Sequence, residues 1–301
     1  MSLHTSIISD LDACERLWNK WSPKKSVFDT WEMRKCFYDA YGYQPYFILA
    51  KQGNREMGLL PLWYDTDQKH YEWFGSNWHE DHTFWAWTPE GAQALLAAAP
   101  KPTRLLGILS PSVGTQQLEK YVDKYVFDFG TVKDIDGYLE RFASEEREKL
   151  QKRLKQVERA RPRVIMNRVT DLGYLFRFNI ARFKETPTKH GASSFQDSRR
   201  RVAFRNMAHL DGIVRSRLLS VIVQGKPVAV GLAAAFNGTY YSLNSGSDRK
   251  KLLHITPYLI TKRLEDALAL GTTRFDALEG DYGWKQNWLL TPVPLYKWKN
   301  G

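Results

Sequence analysis

The residues best suited to chemistry lie near the C-terminus, in the segment Phe275-Asp276-Ala277-Leu278-Glu279-Gly280-Asp281-Tyr282-Gly283-Trp284-Lys285. A carboxylate that follows a glycine just past a predicted strand faces a cleft, where it acts as a general base or anchors a cationic substrate. Asp281 has this position, and the alternative is a loop carboxylate that caps a turn. Lys285 either binds an anionic oxygen or pairs with Asp281. Because strand residues alternate between faces, Asp276 shares a face with Leu278, and we interpret it as structural.

Two other polar clusters indicate no further chemistry. His79-Glu80-Asp81-His82 has a spacing found in metal sites, but the aromatic loop around it offers no further cluster of Cys or His. His190 with Ser193 and Ser194 resembles a base–nucleophile pair, yet the chain has neither a Gly-x-Ser-x-Gly elbow nor a Walker loop. We therefore predict no metal site, and neither a serine hydrolase nor a P-loop enzyme.

The net charge of +11 favours an anionic partner: a nucleic acid, a membrane surface or a phosphorylated ligand such as coenzyme A. Much of the excess lies in Arg147–Arg163, where Leu150, Leu154 and Val157 recur at helical spacing. This segment is predicted to be either a solvated helix with one buried stripe or a helix whose basic face binds phosphate or tRNA.

The composition is that of a folded globular protein. The chain has 301 residues, of which 43% are hydrophobic, which suits two domains of ordinary size. The N-terminus lacks the pattern of a signal peptide, and no apolar run approaches the roughly 20 residues that span a bilayer. Cys14 and Cys36 are predicted to be buried, reduced thiols. We predict a cytoplasmic location and leave the oligomeric state open.

An internal repeat organises the chain. Residues 45–63 and 217–236 each have the pattern of strand, tight turn and strand, and a predicted third strand follows each hairpin, at 71–76 and 240–247. Asn237-Gly238 has the sequence of a hairpin turn between the second and third strands of the later copy. Two hairpins that are each followed by a matching strand indicate a duplicated unit.

Helices complete each half. The predicted helices span 10–20, 30–41, 172–184, 195–209 and 258–270, and two further strands are predicted at 273–278 and 294–298. In the second half, one helix crosses over between two parallel strands. We predict an α/β fold of the mixed-sheet (α+β) kind with two tandem halves, residues 1–130 and 131–301, each a mostly antiparallel sheet flanked by helices.

This order of elements resembles the GNAT-like acyltransferase domain of cellulose- and exopolysaccharide-biosynthesis proteins, which is related to the Fem-type peptidyltransferases. The motifs that carry the resemblance are Phe275-Asp276 at a strand end, Gly280-Asp281, Lys285, Trp288 and Ser245-Gly246-Ser247-Asp248. The terminal motif is fairly specific, and the resemblance covers most of the chain. It implies that the later half is catalytic.

The resemblance implies an acyltransferase that moves an acyl group from acyl-CoA to an amine or hydroxyl of a sugar or cell-envelope precursor. Asp281 and Lys285 are then candidate catalytic residues. Tyr241 can protonate the leaving thiolate, the alternative being core packing. Asn244 and Ser245 lie on the strand that faces the thioester arm.

One departure from the family concerns the phosphate loop. Relatives that bind acetyl-CoA carry glycines before the crossover helix, whereas residues 249–257 contain none, so the backbone cannot approach a phosphate as closely. Thr256, predicted as the helix N-cap before Pro257, and its neighbours still offer N–H groups and cations. The remaining predicted cofactor-binding residues are Arg249, Lys250 and His254.

Two alternatives stay open. A Fem-type transferase that takes an aminoacyl group from tRNA suits the basic charge and the missing glycines, although no inserted pair of long helices is visible, as many such enzymes have. A catalytically silent duplicate would bind a nucleic acid or a partner through the basic helix, but no nucleic-acid-binding motif supports it.

Overall fold

The computed structural model describes residues 3–76, 78–109, 118–185, 192–280 and 283–301. The strands in these residues are β1 (Leu3–Ile8), β2 (Pro45–Gln52), β3 (Arg55–Asp65), β4 (His70–Trp73), β5 (Trp85–Ala86), β6 (Thr103–Ile108), β7 (Glu119–Asp128), β8 (Arg163–Met166), β9 (Arg215–Val223), β10 (Lys226–Phe236), β11 (Thr239–Ser247), β12 (Arg274–Glu279) and β13 (Thr291–Asn300). The helices are α1 (Leu11–Trp21), α2 (Trp31–Tyr41), α3 (Pro89–Ala98), α4 (Ile135–Leu139), α5 (Ser144–Glu158), α6 (Leu172–Glu185), α7 (Ser198–Ala208) and α8 (Ile255–Ala269).

The chain forms two compact units. The first comprises Met1–Lys124, Glu279–Asp281 and Pro292–Gly301, and the second comprises Tyr125–Leu278 and Tyr282–Thr291. The predicted halves, 1–130 and 131–301, differ from these units mainly at the C-terminus, where β13 pairs with β6 of the first unit. Sequence pattern located this strand but not its partner, because pairing between distant segments leaves no local signal.

The first unit is a mixed sheet with strand order β1-β2-β3-β4-β6-β13. β2 and β3 form the predicted hairpin, and β4 and β6 are parallel, with α3 between them along the chain. The core under this sheet includes Ile48, Leu60, Trp73 and Leu105. The crossover through α3 was not predicted for this half.

The second unit repeats the plan with strand order β12-β11-β10-β9-β8. β9, β10 and β11 are antiparallel neighbours, and β11 pairs in parallel with β12 after the crossover through α8. The predicted crossover is therefore confirmed. Both turns of this meander have two residues with positive φ, at Gln224-Gly225 and Asn237-Gly238, as tight hairpins require.

Helix boundaries agree with the sequence except at the starts of α7 and α8. The helix predicted from residue 195 begins at Ser198, after a 3₁₀ turn at Ser194–Gln196 and a cap at Asp197. Asp10 and Thr30 cap α1 and α2 through their side chains, and Gly271 follows the end of α8 with φ +68°, as predicted. The prediction that Thr256 caps α8 is wrong. The helix begins at Ile255 after His254, whose φ is +65° and whose side chain caps nothing, while Thr256 lies inside the first turn.

The two cysteines lie in the interior of the first unit. Cys14 and Cys36 are free and buried, as predicted, and burial raises the pKa of each thiol to about 12. Within the described ranges, no helix combines the length and the apolar character needed to cross a membrane.

Candidate functional site

The candidate site lies in the second unit, where β11 and β12 separate. The two strands pair only from Thr239 with Arg274 to Tyr241 with Asp276. β11 then continues to Ser247 without β12 as a partner, and α8 begins a few residues later. Diverging strand ends followed by a helix N-terminus are a common position for a ligand.

A bulge in β11 lies at the point of separation. Tyr241 pairs with Ala234 of β10 and Asn244 pairs with Leu232, so that two residues of β11 oppose the single residue Ala233. An extra residue in one strand bends it and increases its twist. The bulge therefore provides a local reason why β11 leaves β12 after Tyr241.

Asn244, directly after the bulge, belongs to a chain of hydrogen bonds. Its Oδ1 accepts from the backbone N–H of Ser245 at 2.8 Å and from Nδ2 of Asn179 on α6 at 3.2 Å. Oδ1 of Asn179 in turn accepts from the hydroxyl of Ser193 at 2.6 Å. Neither Asn179 nor Ser193 was singled out as part of this site, because the link between α6 and β11 is visible only in three dimensions.

The predicted phosphate-binding residues lie between the end of β11 and the first turn of α8. Arg249 is exposed, and Lys250 forms an exposed ion pair with Glu185 of α6 at 2.7 Å, which raises the pKa of Lys250. The hydroxyl of Thr256 bonds to that of Ser247 at 2.7 Å, linking the helix to the end of β11. Arg249 and Lys250 thus precede the start of α8 along the chain, and His254 occupies the N-cap position.

The two described catalytic candidates are buried. Tyr241 is 3% exposed, in the sheet opposite Asp276. Lys285 is 2% exposed, its Nζ donates to the Leu278 carbonyl at 2.6 Å, and the same atom lies 5.2 Å from the centre of the Tyr125 ring. This geometry favours a structural role for Lys285, which ties the segment after β12 to the end of that strand. Asp281 lies outside the described residues.

In the first unit, the corresponding gap between strands is filled by the chain itself. β4 and β6 pair only at Tyr71 and Thr103. Beyond this point His82 pairs with Ile108 of β6, and its N–H donates to the carbonyl of Gly107 at 3.0 Å. The segment at His82 therefore occupies the edge of β6 that β4 has left.

Arg34 of α2 fixes this segment from inside. Its guanidinium nitrogens lie 2.7 Å from Nδ1 of His79 and 3.1 Å from Nδ1 of His82, and they also donate to the carbonyls of Phe28 and Phe74. Burial, followed by the charge of Arg34, holds the pKa of His82 well below its usual range. The two imidazoles of the His-x-x-His motif thus face a cation, and no group of metal-binding side chains occurs in the residues that the structure covers.

The net positive charge of the chain comes entirely from the second unit. This unit contains 29 lysines and arginines and 16 aspartates and glutamates, a formal net charge of +13, whereas the first unit has 15 and 17, a net charge of −2. On α5 and just after it, six exposed cations form no ion pair with any described residue: Lys152, Arg153, Lys155, Arg159, Arg161 and Arg163. Of the predicted stripe on this helix, Leu150 and Val157 are buried and Leu154 is partly buried.

Comparisons with known proteins agree with this topology. Residues 144–286 match the model of the acetyltransferase (GNAT) domain. A comparison of the sequence with curated proteins finds no significant match. Among solved structures, FemX is similar at a TM-score of 0.62 and 10% identity, covering 99% of this chain and 97% of FemX.

Two further structures show the same likeness. A tandem GNAT protein from the clavulanic acid biosynthesis pathway aligns at a TM-score of 0.60 and 8% identity, covering 100% of this chain and 99% of that one. L-PGS from Bacillus licheniformis aligns at 0.54 and 11% identity, covering 89% and 90%. At such identities the likeness establishes the fold alone. The chain therefore has a GNAT-type acyltransferase fold built from two tandem GNAT-like halves, with the GNAT domain match in residues 144–286.

Proposed function

We propose that the second unit transfers an acyl group from acyl-CoA to an amine or hydroxyl of a sugar or cell-envelope precursor. The observation that carries this proposal is the separation of β11 from β12 beyond Tyr241, with the N-terminus of α8 following it. Beyond Tyr241 no described strand pairs with β11 on this side, and an extended ligand is proposed to lie along that edge, with its phosphates attracted by the helix N-terminus. In the first unit His82 fills the corresponding edge, so the donor site is proposed for the second unit alone.

The coenzyme A phosphates are proposed to lie at the start of α8. Arg249 is exposed there, and Lys250 can exchange its surface partner Glu185 for a phosphate at little cost, because exposed ion pairs contribute little. His254 takes the left-handed conformation at the N-cap that a glycine adopts readily, so this turn forms without glycine. The absence of glycine therefore does not prevent the turn that begins α8.

The reaction forms one bond and breaks another. The acceptor nitrogen or oxygen attacks the thioester carbon, the C–S bond breaks, and the acceptor proton passes to a base, for which Asp281 is proposed. The thiolate takes up a proton, for which Tyr241 is proposed. Lys285 is proposed to hold the strand end beside this base rather than to contact the donor.

The proposal is tested by thermal stabilisation of the purified protein with acetyl-CoA, longer acyl-CoAs and free coenzyme A. We expect a rise in melting temperature with the coenzyme A series. Asp281→Asn is expected to retain that rise and lose transfer. A variant with full activity would show that Asp281 is not the base, and the absence of any shift would contradict the coenzyme A donor itself.

A second candidate is Fem-type transfer of an aminoacyl group from tRNA. The observation in its favour is the net charge of +13 on the second unit, with the unpaired cations of α5. Assays with aminoacylated and with free tRNA distinguish this activity from non-specific electrostatic binding. Both tRNAs bind through their phosphates, but only the aminoacylated one delivers an aminoacyl group. A cytoplasmic location remains a prediction for either activity. Binding without transfer in both assays would favour the silent-duplicate alternative.

A further inference from the structure

We infer that the side-chain amide of Asn244 donates a hydrogen bond to the carbonyl oxygen of the transferred acyl group, and that Asn179 and Ser193 orient that amide. The inference rests on the proposed acyl transfer at the open edge of β11. It assigns a new role to Asn244 and places two residues of other elements in the site.

The orientation of the Asn244 amide follows from hydrogen-bond polarity. The backbone N–H of Ser245 can only donate, so the side-chain atom of Asn244 that lies 2.8 Å from it is the oxygen. That same oxygen lies 3.2 Å from Asn179, which must therefore present its NH₂ group. The other end of Asn179 is then its oxygen, and the hydroxyl of Ser193 donates to it at 2.6 Å. One backbone N–H thus fixes the direction of the whole chain of bonds.

The consequence is a free donor on Asn244. Its Oδ1 is occupied by two donors, while its Nδ2 has no hydrogen-bond partner among the residues that the structure describes. Rotation of the amide by 180° would place NH₂ against two other N–H groups, which is unfavourable. Asn179 and Ser193 are 6% and 2% exposed, so water has little access to replace their bonds.

The position of Asn244 suits a bond to the acyl group. It lies three residues beyond Tyr241, the last residue of β11 that pairs with β12. When the acceptor attacks a thioester, negative charge develops on the carbonyl oxygen, and a donor fixed in advance stabilises that charge without reorganisation. Removing one such donor in other enzymes lowers kcat by roughly 100- to 1,000-fold.

The test compares two ligands that differ in one carbonyl: acetyl-CoA and its thioether analogue S-ethyl-CoA. We expect the wild-type protein to bind acetyl-CoA about 3- to 10-fold more tightly, the value of one hydrogen bond. Asn244→Asp keeps both accepted bonds and removes the donor. Asn179→Asp replaces the NH₂ group that donates to the Asn244 oxygen with an acceptor, so that oxygen keeps only the N–H of Ser245 and the amide is no longer fixed in one orientation. Each variant is expected to bring the affinity ratio to about 1 or below.

Asn167→Asp is the matched control, because Oδ1 of Asn167 accepts from the N–H of Leu218 and an aspartate preserves that bond. It should retain the wild-type ratio. A second readout is the rate of thiol release from acetyl-CoA, which should fall by roughly 100-fold or more in Asn244→Asp while KM changes by only a few-fold. If Asn179→Asp does not fold, Asn244→Asp decides the question alone.

The outcomes separate this inference from the function on which it rests. Equal binding of acetyl-CoA and S-ethyl-CoA by the wild type, or a wild-type ratio in Asn244→Asp, overturns the role of Asn244 and leaves the coenzyme A site standing. Failure of the wild type to bind either compound overturns both proposals.

Discussion

Gly246 of β11 lies directly against the backbone of α6, and a Cβ at this position would stand 2.6 Å from the carbonyl oxygen of Leu175. It would also stand 2.8 Å from Cβ of Phe178. Distances this short require the helix to move, because neither neighbour is the flexible end of a side chain. The contact keeps α6, and with it Asn179, close to the strand that carries Asn244.

Gly246→Ala is therefore expected to lower the free energy of unfolding by about 1–3 kcal/mol, as overpacking commonly does. It should also weaken acetyl-CoA binding, since α6 moves away from Asn244. Chemical denaturation and ligand titration measure the two effects. Gly173→Ala, in the first turn of the same helix, has no atom within 4 Å of the added Cβ and should be neutral or stabilising. Equal stability of the two variants would contradict the close contact.

The sequence predicted the elements better than the way they associate. Gly246 was quoted only as part of a motif, and no local pattern shows that a helix some 70 residues earlier packs on it. The turns at Gln224-Gly225 and Asn237-Gly238 were predictable because the required left-handed conformations favour these residues. The return of β13 to the first unit and the filling of the β6 edge by His82 depend on long-range pairing, which sequence periodicity does not encode.

Lys285→Met is expected to destabilise the protein by about 1–3 kcal/mol, because the carbonyl of Leu278 loses a buried donor. Methionine preserves most of the side-chain length, so the loss reports the ammonium group rather than a cavity. Urea denaturation provides the measurement. Affinity for acetyl-CoA should remain within about twofold, since the ammonium is already bonded inside the protein.

Lys149→Met serves as the control for that substitution, because Lys149 is exposed and forms its ion pair with the exposed Glu145. Its stability should change by less than about 0.5 kcal/mol. A large loss of ligand affinity in Lys285→Met, with unchanged stability, would instead place Lys285 in the binding site.

Asp29 in the first unit should make stability depend on pH. Burial raises the pKa of this carboxyl to about 6, although the N–H groups of Lys25 and Ser26, which donate to it, and the charge of Arg34 oppose the rise. The folded protein therefore binds this proton more tightly than the unfolded chain, whose aspartates titrate near pH 4. The stabilisation is complete below about pH 4 and is lost as the pH rises through 6.

In Asp29→Asn this contribution is absent. The stability of the wild type relative to the variant should fall by up to about 3 kcal/mol between pH 4 and pH 7. Urea denaturation at several pH values measures the difference, and Asp12→Asn, which removes an exposed carboxylate, shows how much follows from net charge alone. A difference between wild type and Asp29→Asn that is constant over this range would show that Asp29 titrates normally.

Candidate site residues could be chosen from the sequence where the proposed role depends on one strand or one helix start. Asn244, Arg249 and Thr256 follow from the order of β11 and α8 along the chain. Asn179 and Ser193 could not be chosen in this way. They are proposed to act only by orienting the Asn244 amide, through hydrogen bonds between segments that are distant in the sequence. Lys285 was chosen by motif, and only its burial and its bond to the Leu278 carbonyl show that the geometry favours a structural role.

The basic face of α5 distinguishes the two candidate donors. Lys152 and Lys155 on this helix and Arg159 at its C-cap are exposed, and glutamine has a similar helix propensity, so replacing all three by glutamine should leave the fold intact. If the face binds RNA phosphates, the triple variant has a lower affinity for tRNA than the wild type at moderate salt. The slope of log K against log salt, which is negative, then becomes less steep by about 2–3, close to one unit for each lost contact. Fluorescence anisotropy of labelled tRNA over a salt series measures both.

The control for this variant removes the same charge from the first unit, by replacing the exposed Lys24, Lys69 and Lys101 with glutamine. Both triple variants carry the same net charge, so a purely non-specific attraction would change equally in the two. A loss confined to the α5 variant, with acetyl-CoA binding unchanged, would assign the helix to nucleic acid and favour tRNA as the donor. An equal small loss in both variants would identify the basic face as a solvated surface and leave acyl-CoA as the donor.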